Sequence, residues 1–371
     1  MMEKDLGYRK VQFTGRGSYI ISLPKEWAKE VGIERGSEIA FKVQENSTLL
    51  LIPRKIVEEE KEAHKPQLKE YWIHIQPEDS AESVCRKIIS LYVVNAGIIH
   101  VRFKNRESVA KFRNAINGLV KETLLGAEII DETSNEVTIQ VLVDHPEFPV
   151  EKAVRRMAIL ALSANQAAVS ALGDGNLDKI REVAESKNDV GRLNLYVIRQ
   201  LKFGLERNLF KELGFRTPKE FLGYRIVAND IKSIANNAMV IARNVKTFGK
   251  MVEDQTLFLK EAIDEAAYSQ ILDFNSQAQQ LFDESLKAMF KRDYEHADKI
   301  ISEAKSLADR ENDLVTVISS KKLDPNVSAI FSSILDNSRR ILEYSRDIAE
   351  VTLNRTIEEV STNRLQTESR R

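Results

Sequence analysis

The chain has 371 residues, 55 Lys and Arg against 56 Asp and Glu, and a net charge of −1 with 43% hydrophobic residues. That length predicts two or three domains of a water-soluble globular protein with a helical lean, and the balanced charge confines any nucleic-acid contact to a local patch. A single cysteine, Cys85, excludes an internal disulfide and points to a reducing compartment. No run is both long and apolar enough to span a bilayer: Ile159–Leu172 is apolar but short and alanine-rich, which reads as a buried helix. With no signal-peptide pattern at its start, the chain is expected in the cytoplasm.

In chain order, the first informative stretch runs from Tyr8 to Pro53. Two short β-runs flank Gly15-Arg16-Gly17. Pro24 stands where the first turn of a short helix would begin, its φ already helical and its missing N–H no loss, and Gly32 closes that helix as a left-handed cap. A hairpin follows, Ser37–Gln44 and Thr48–Pro53 joined by Glu45-Asn46-Ser47. A β–β–α–β–β unit this short cannot bury a core alone, so a dimer is expected. From Leu6 to Lys25 the only charged residues are Arg9, Lys10, Arg16 and Lys25, all basic, and such a run is a candidate phosphate-binding face. An ordinary solvated surface is the competing reading. Arg16 lies between two glycines, which permit close approach to a groove, and arginine can fork onto guanine or phosphate.

This stretch resembles the swapped-hairpin DNA-binding domain of the AbrB/SpoVT/MazE family. Arg9-Lys10, Thr14-Gly15-Arg16-Gly17-Ser18, Leu23-Pro24-Lys25-Glu26-Trp27 and Gly36-Ser37-Glu38 carry the match in order. The resemblance implies two chains that interleave their hairpins, with Arg9, Lys10, Arg16 and Lys25 facing DNA.

The head is expected over residues 1–55, followed by a charged linker, 56–67, with Glu58-Glu59-Glu60 inside it. Residues 68–145 read as a small α/β domain: strand Tyr71–Gln76, amphipathic helix Ser80–Asn95, strand Ile98–Phe103, helix Glu107–Leu125, and a hairpin of Gly126–Asp131 and Glu136–Val143. The turn Pro77-Glu78-Asp79-Ser80 is an N-cap and not a phosphate loop. His74 and His100 fall on strands and read as structural.

From Pro149 the strand signal vanishes. Six helices are expected: Pro149–Leu172, Leu177–Leu213, Pro218–Phe248, Asp254–Arg292, Tyr294–Ser320 and Pro325–Arg364. Asp178-Lys179-Ile180 recurs as Asp298-Lys299-Ile300, Asp189 as Asp309, and Ile241-Ala242-Arg243 as Ile348-Ala349-Glu350. A three-helix bundle used twice, over 149–250 and 254–364, accounts for the repeat. The fold class is therefore multidomain α+β.

The helical half resembles the PhoU family of phosphate-transport regulators. The match is carried by Ala297–Ile300 through Asp309–Asp313 on the fifth helix and Ser338–Glu350 on the sixth. It is weaker in the first repeat, through Glu185–Asp189 and Ile234–Arg243. That family's acidic motifs imply a divalent ion or an iron or zinc cluster. Here the candidates are Asp309 with Asp313, Glu343 with Asp347, and Glu185 with Asp189, each pair one helical turn apart. Solvated acidic faces show the same spacing. The chain departs from the family pattern at Lys232-Ser233, Asn236 and Arg339-Arg340, which favours the second bundle for any metal.

No nucleophile, base and orienting group occur together, so catalytic residues are expected to be absent. The chain reads as a homodimeric, DNA-binding transcriptional regulator linked to phosphate uptake. The resemblance also implies contact with a phosphate transporter or a membrane sensor. The alternatives are a PhoU-type negative regulator that uses its head only to dimerise, and a MazE-type antitoxin.

Overall fold

The computed structural model describes residues 6–15, 17–43, 48–54, 68–104, 106–143, 148–174, 178–253, 264–321 and 323–368. The chain divides after Leu68 into two compact units.

The first unit holds two antiparallel hairpins and a short helix. In the first hairpin β1 (Gln12–Thr14) pairs with β2 (Ser18–Ile20), in the second β3 (Ile39–Val43) pairs with β4 (Leu49–Pro53), and α1 (Lys25–Glu30) lies between them. Pro24 is the N-cap of α1 and not its first turn, because its ψ of 125° is extended. Gly32, at φ 71°, closes the helix end in the left-handed region.

The second unit begins with a four-stranded sheet in the order β5-β6-β8-β7. β5 (Glu70–Ile75) is parallel to β6 (Ile98–Phe103), and the crossover between them is α2 (Ala81–Val93), which Ser80 caps by accepting from the Ser83 N–H at 3.1 Å. After α3 (Arg106–Glu122) come β7 (Ala127–Glu132) and β8 (Glu136–Val141), both antiparallel to their neighbours. Alternate residues Ile75, Ile99, Val101, Phe103, Val137 and Ile139 meet Val84, Ile88, Tyr92, Phe112 and Ile116 of the helices in one core. On the other side Trp72 stacks on His100, with ring centres 4.8 Å apart. Glu136 there accepts from Arg102 at 2.7 Å and lies 2.8 Å from His100, and the Arg102 bond holds its carboxyl below the usual range.

Six helices follow: α4 (Val150–Asp174), α5 (Asp178–Arg207), α6 (Glu220–Glu253), α7 (Glu265–Lys291), α8 (Tyr294–Ser320) and α9 (Pro325–Glu368). They form two three-helix groups, α4–α5–α6 and α7–α8–α9, joined chiefly where α6 lies along α9. The repeated positions play equal parts in the shared core: Ile180 and Ile300 are buried, as are Ile241-Ala242 and Ile348-Ala349.

Several helix ends differ from expectation, among them that of the third helix, which runs on to Glu253 past the expected Phe248. The second helix stops at Arg207, where Asn208 turns left-handed at φ 55°, and Phe210 to Phe215 fold back instead of continuing it. The fourth starts at Glu265, since Asp264 is an extended N-cap whose carboxylate accepts from the Ala267 N–H at 2.8 Å. The stretch assigned to its start, residues 254–263, lies outside the described residues.

A buried arginine ties the sheet to the helices. Arg199 of α5 donates to the carbonyls of Tyr92 at 2.6 Å and Ala96 at 2.9 Å, the open end of α2. Burial lowers its pKa to about 10, so it stays charged there at neutral pH. Between the helices, Asn165, Gln279, Asn275, Asn337 and Ser338 bond to one another at 2.6–2.8 Å, a satisfied polar chain crossing from α4 through α7 to α9.

Candidate nucleic-acid interface

Arg9 and Lys10 precede β1, the Gly15–Gly17 turn links β1 to β2, and Lys25 is the first residue of α1. Gly17 is at φ 84°, a conformation that the tight turn demands and that glycine adopts without strain. Arg9, Lys10 and Lys25 are exposed, and no ion pair involves them among the described residues. Arg9 donates to the Tyr8 carbonyl at 3.0 Å. Arg16 lies outside the described residues. The one ion pair described in this unit joins Arg54 to Glu38, neither of which belongs to the basic run. The cations that flank the first hairpin are thus available to phosphate.

The same unit leaves its apolar faces bare. Among its described residues Pro53 alone is buried. Phe13 and Tyr19 are paired across the first hairpin, ring centres 5.2 Å apart, yet are 65% and 77% exposed. In the second hairpin Phe41 pairs with Leu51 and Val43 with Leu49, all on one face, with Phe41 64% and Val43 77% exposed. A small unit in this state lacks the buried area that would offset its ordering entropy. The missing core agrees with the expectation from the unit's length. The signal for these faces is the alternation Phe41-Lys42-Val43 opposite the continuous apolar run Leu49–Ile52.

The acidic candidates of the helical body are spread over separate contacts. Asp309 and Asp313 are exposed on α8. Glu343 accepts from Arg339 at 2.9 Å, Glu185 from Arg181 at 3.1 Å, and Asp189 is 3.7 Å from Arg192. Asp347 is half-buried, and burial raises its pKa despite Arg346 beside it. Among the described residues no three His, Cys, Asp or Glu side chains come together as a metal would require. The carboxylate that the structure singles out was not a candidate. Asp230 of α6 is 6% exposed, its Oδ2 has no hydrogen-bond partner among the described residues, and burial plus the charge of Asp347 raises its pKa to about 7.

No described helix is long and apolar enough to cross a membrane. Residues 12–59 match the family described as antidote-toxin recognition MazE, bacterial antitoxin. Arg16 and Lys25 fall inside that stretch, and Arg9 and Lys10 just before it. No curated protein matches the chain. The N-terminal unit is therefore a MazE-type domain, carried ahead of a sheet and a large helical body.

Proposed function

We propose that the chain is a DNA-binding transcriptional regulator that acts as a homodimer. The observation that carries this is the head: a MazE-type domain whose Arg9, Lys10 and Lys25 are exposed, with no ion pair among the described residues, and whose two hairpins leave an apolar face for a second copy to cover. In the dimer, Arg9, Lys10, Arg16 and Lys25 of both chains contact DNA, Arg16 from the turn and the others along the phosphates. The helical body, of PhoU type, senses or relays phosphate status and works with a phosphate transporter or a membrane sensor. Its tandem three-helix groups support that part of the reading. An event on the body alters the relative placement of the two heads, and half-sites that must be engaged together lose avidity. A divalent, iron or zinc ion on the body is a separate proposal, and its test is the metal content of the purified chain.

Fluorescence anisotropy with DNA from the gene's own upstream region and from phosphate-transport promoters, across a salt series, tests the main reading. Tight binding should weaken with a log–log slope of about −0.9 per phosphate contact. Arg9→Ala/Arg16→Ala should abolish it while the protein stays dimeric. Equal, weak binding by both proteins at physiological salt would leave the head as a dimerisation device. A second reading, antitoxin action, is favoured by the family description itself. It predicts a co-purifying toxin that binds through the MazE-type stretch.

A further inference from the structure

A cavity of about 470 Å³ opens where the start of α6 and the turn before it meet Arg292, just past α7, and the C-terminal half of α9. It spans both three-helix groups. One wall is charged. Glu220 is buried and accepts from Arg292 at 2.9 and 2.8 Å and from Arg355 at 2.9 Å, while the Arg216 and Thr217 main-chain N–H groups donate to it at 2.9 and 3.3 Å. Burial pushes the Glu220 carboxyl up, but the Arg292 bond and the Arg355 charge outweigh it, so the group is held below its ordinary value and stays ionised. Arg292 itself is held at φ 57°, a strained backbone for a non-glycine residue and one that its surroundings must over-determine.

Two inward guanidinium groups on one carboxylate leave a positive charge unbalanced in a poorly solvated wall. Glu359 compensates only in part. It pairs with Arg216 and stands 3.8 Å from Arg292 Nη1, beyond hydrogen bonding. Lys219 and Glu358, 3.8 Å apart and almost fully exposed, contribute little. The other wall is apolar. Leu222 is 73% exposed and Ile226, one turn on, 47%. At Gly223 the α6 backbone approaches α9 so closely that a Cβ would stand 2.5 Å from Val351 Cγ1, which shapes the floor.

We propose that this cavity binds a small amphipathic anion, a carboxylate or phosphate head on an apolar body. The head lies against Arg292 and Arg216, and the body covers Leu222 and Ile226. The size suits a small organic ligand. An amine is disfavoured because the acids of the lining already have cationic partners. A bare inorganic anion would leave the aliphatic wall wet. Nothing in this assignment depends on how the head meets DNA.

Isothermal titration of the full-length protein, without DNA, tests it with octanoate and hexyl phosphate as probes and with octylamine and inorganic phosphate as controls. At least one anionic probe should bind saturably at one per chain, and which of them does so identifies the head group. Both controls should bind far more weakly. Leu222→Asp places a negative charge on the exposed wall and should weaken binding by about tenfold or more. Glu359→Gln removes the competing carboxylate and should tighten binding several-fold. The proposal is overturned if neither anion saturates, if octylamine or inorganic phosphate binds as tightly, or if Leu222→Asp binds like wild type. Should Leu222→Asp fail to fold, Glu359→Gln decides alone: unchanged or weakened binding rejects the site.

Discussion

Asp230 is a buried acid whose cost depends on pH, and replacing it should stabilise the protein. Its carboxyl is ionised above an ordinary value of 3.8 in the unfolded chain but only above about 7 in the fold, because burial and the facing Asp347 oppose its charge. Asp347 is itself raised by burial, with Glu350 and Glu343 adding to the effect and Arg346 opposing it. Below pH 3.8 both states carry the proton and there is no penalty. Between the two values the fold holds a proton that the unfolded chain has lost, so stability falls as pH rises. Above 7 the loss is complete. Three pH units at about 1.4 kcal/mol each set the penalty at no more than about 4 kcal/mol. Asp230→Asn keeps the shape and removes the charge. Its melting temperature should match wild type at pH 4 and exceed it at pH 8, by about 2 °C for each kcal/mol recovered. Differential scanning fluorimetry of both proteins from pH 4 to 8 measures this. A gain that is the same at every pH, or no gain at pH 8, would refute the burial argument.

Three further outcomes follow from the same contacts. Phe41→Glu with Val43→Glu should dissociate the proposed dimer: each large side chain buried at an interface contributes ~1.5–3 kcal/mol, so the four of them, two from each copy, weaken association by on the order of ten-thousandfold or more. Sedimentation velocity reads the result, and a dimer that persists would place the interface elsewhere. Arg199→Leu leaves the Tyr92 and Ala96 carbonyls without their donor and should cost about 3 kcal/mol in urea unfolding, whereas Arg86→Leu on the exposed face of α2 should cost little. Asn337→Ala breaks the buried chain at Asn165 and should cost about 2–3 kcal/mol; a neutral result would mean that water replaces the amide.

Local pattern determined much of this molecule. Alternating apolar residues set β3 and a continuous apolar run set β4, helical periodicity set α4 to α9, Ser80 and Gly32 marked helix ends, and the residues around Gly15-Arg16-Gly17 and Leu23-Pro24-Lys25 carried the resemblance to MazE-type heads. Such features depend on neighbours within a few positions, and a single chain displays them. The errors were local too: Asn208 ends α5 by turning left-handed, and Asp264 starts α7, where neither glycine nor proline gave a break to read.

Tertiary structure decided which charges are buried and which meet. Asp230 looked like any polar residue on a helix until α9 covered it. Glu220 joins Arg292 and Arg355 across 72 and 135 positions of sequence, Arg199 reaches back 107 positions to α2, and Asn165 bonds to Asn337 across 172. Periodicity shows that a side chain points inward. It carries no record of what stands opposite, because that is set by the packing of helices far apart in the chain, and it is the opposing group that decides whether a carboxylate is a ligand, an ion-pair partner or a buried acid near pH 7.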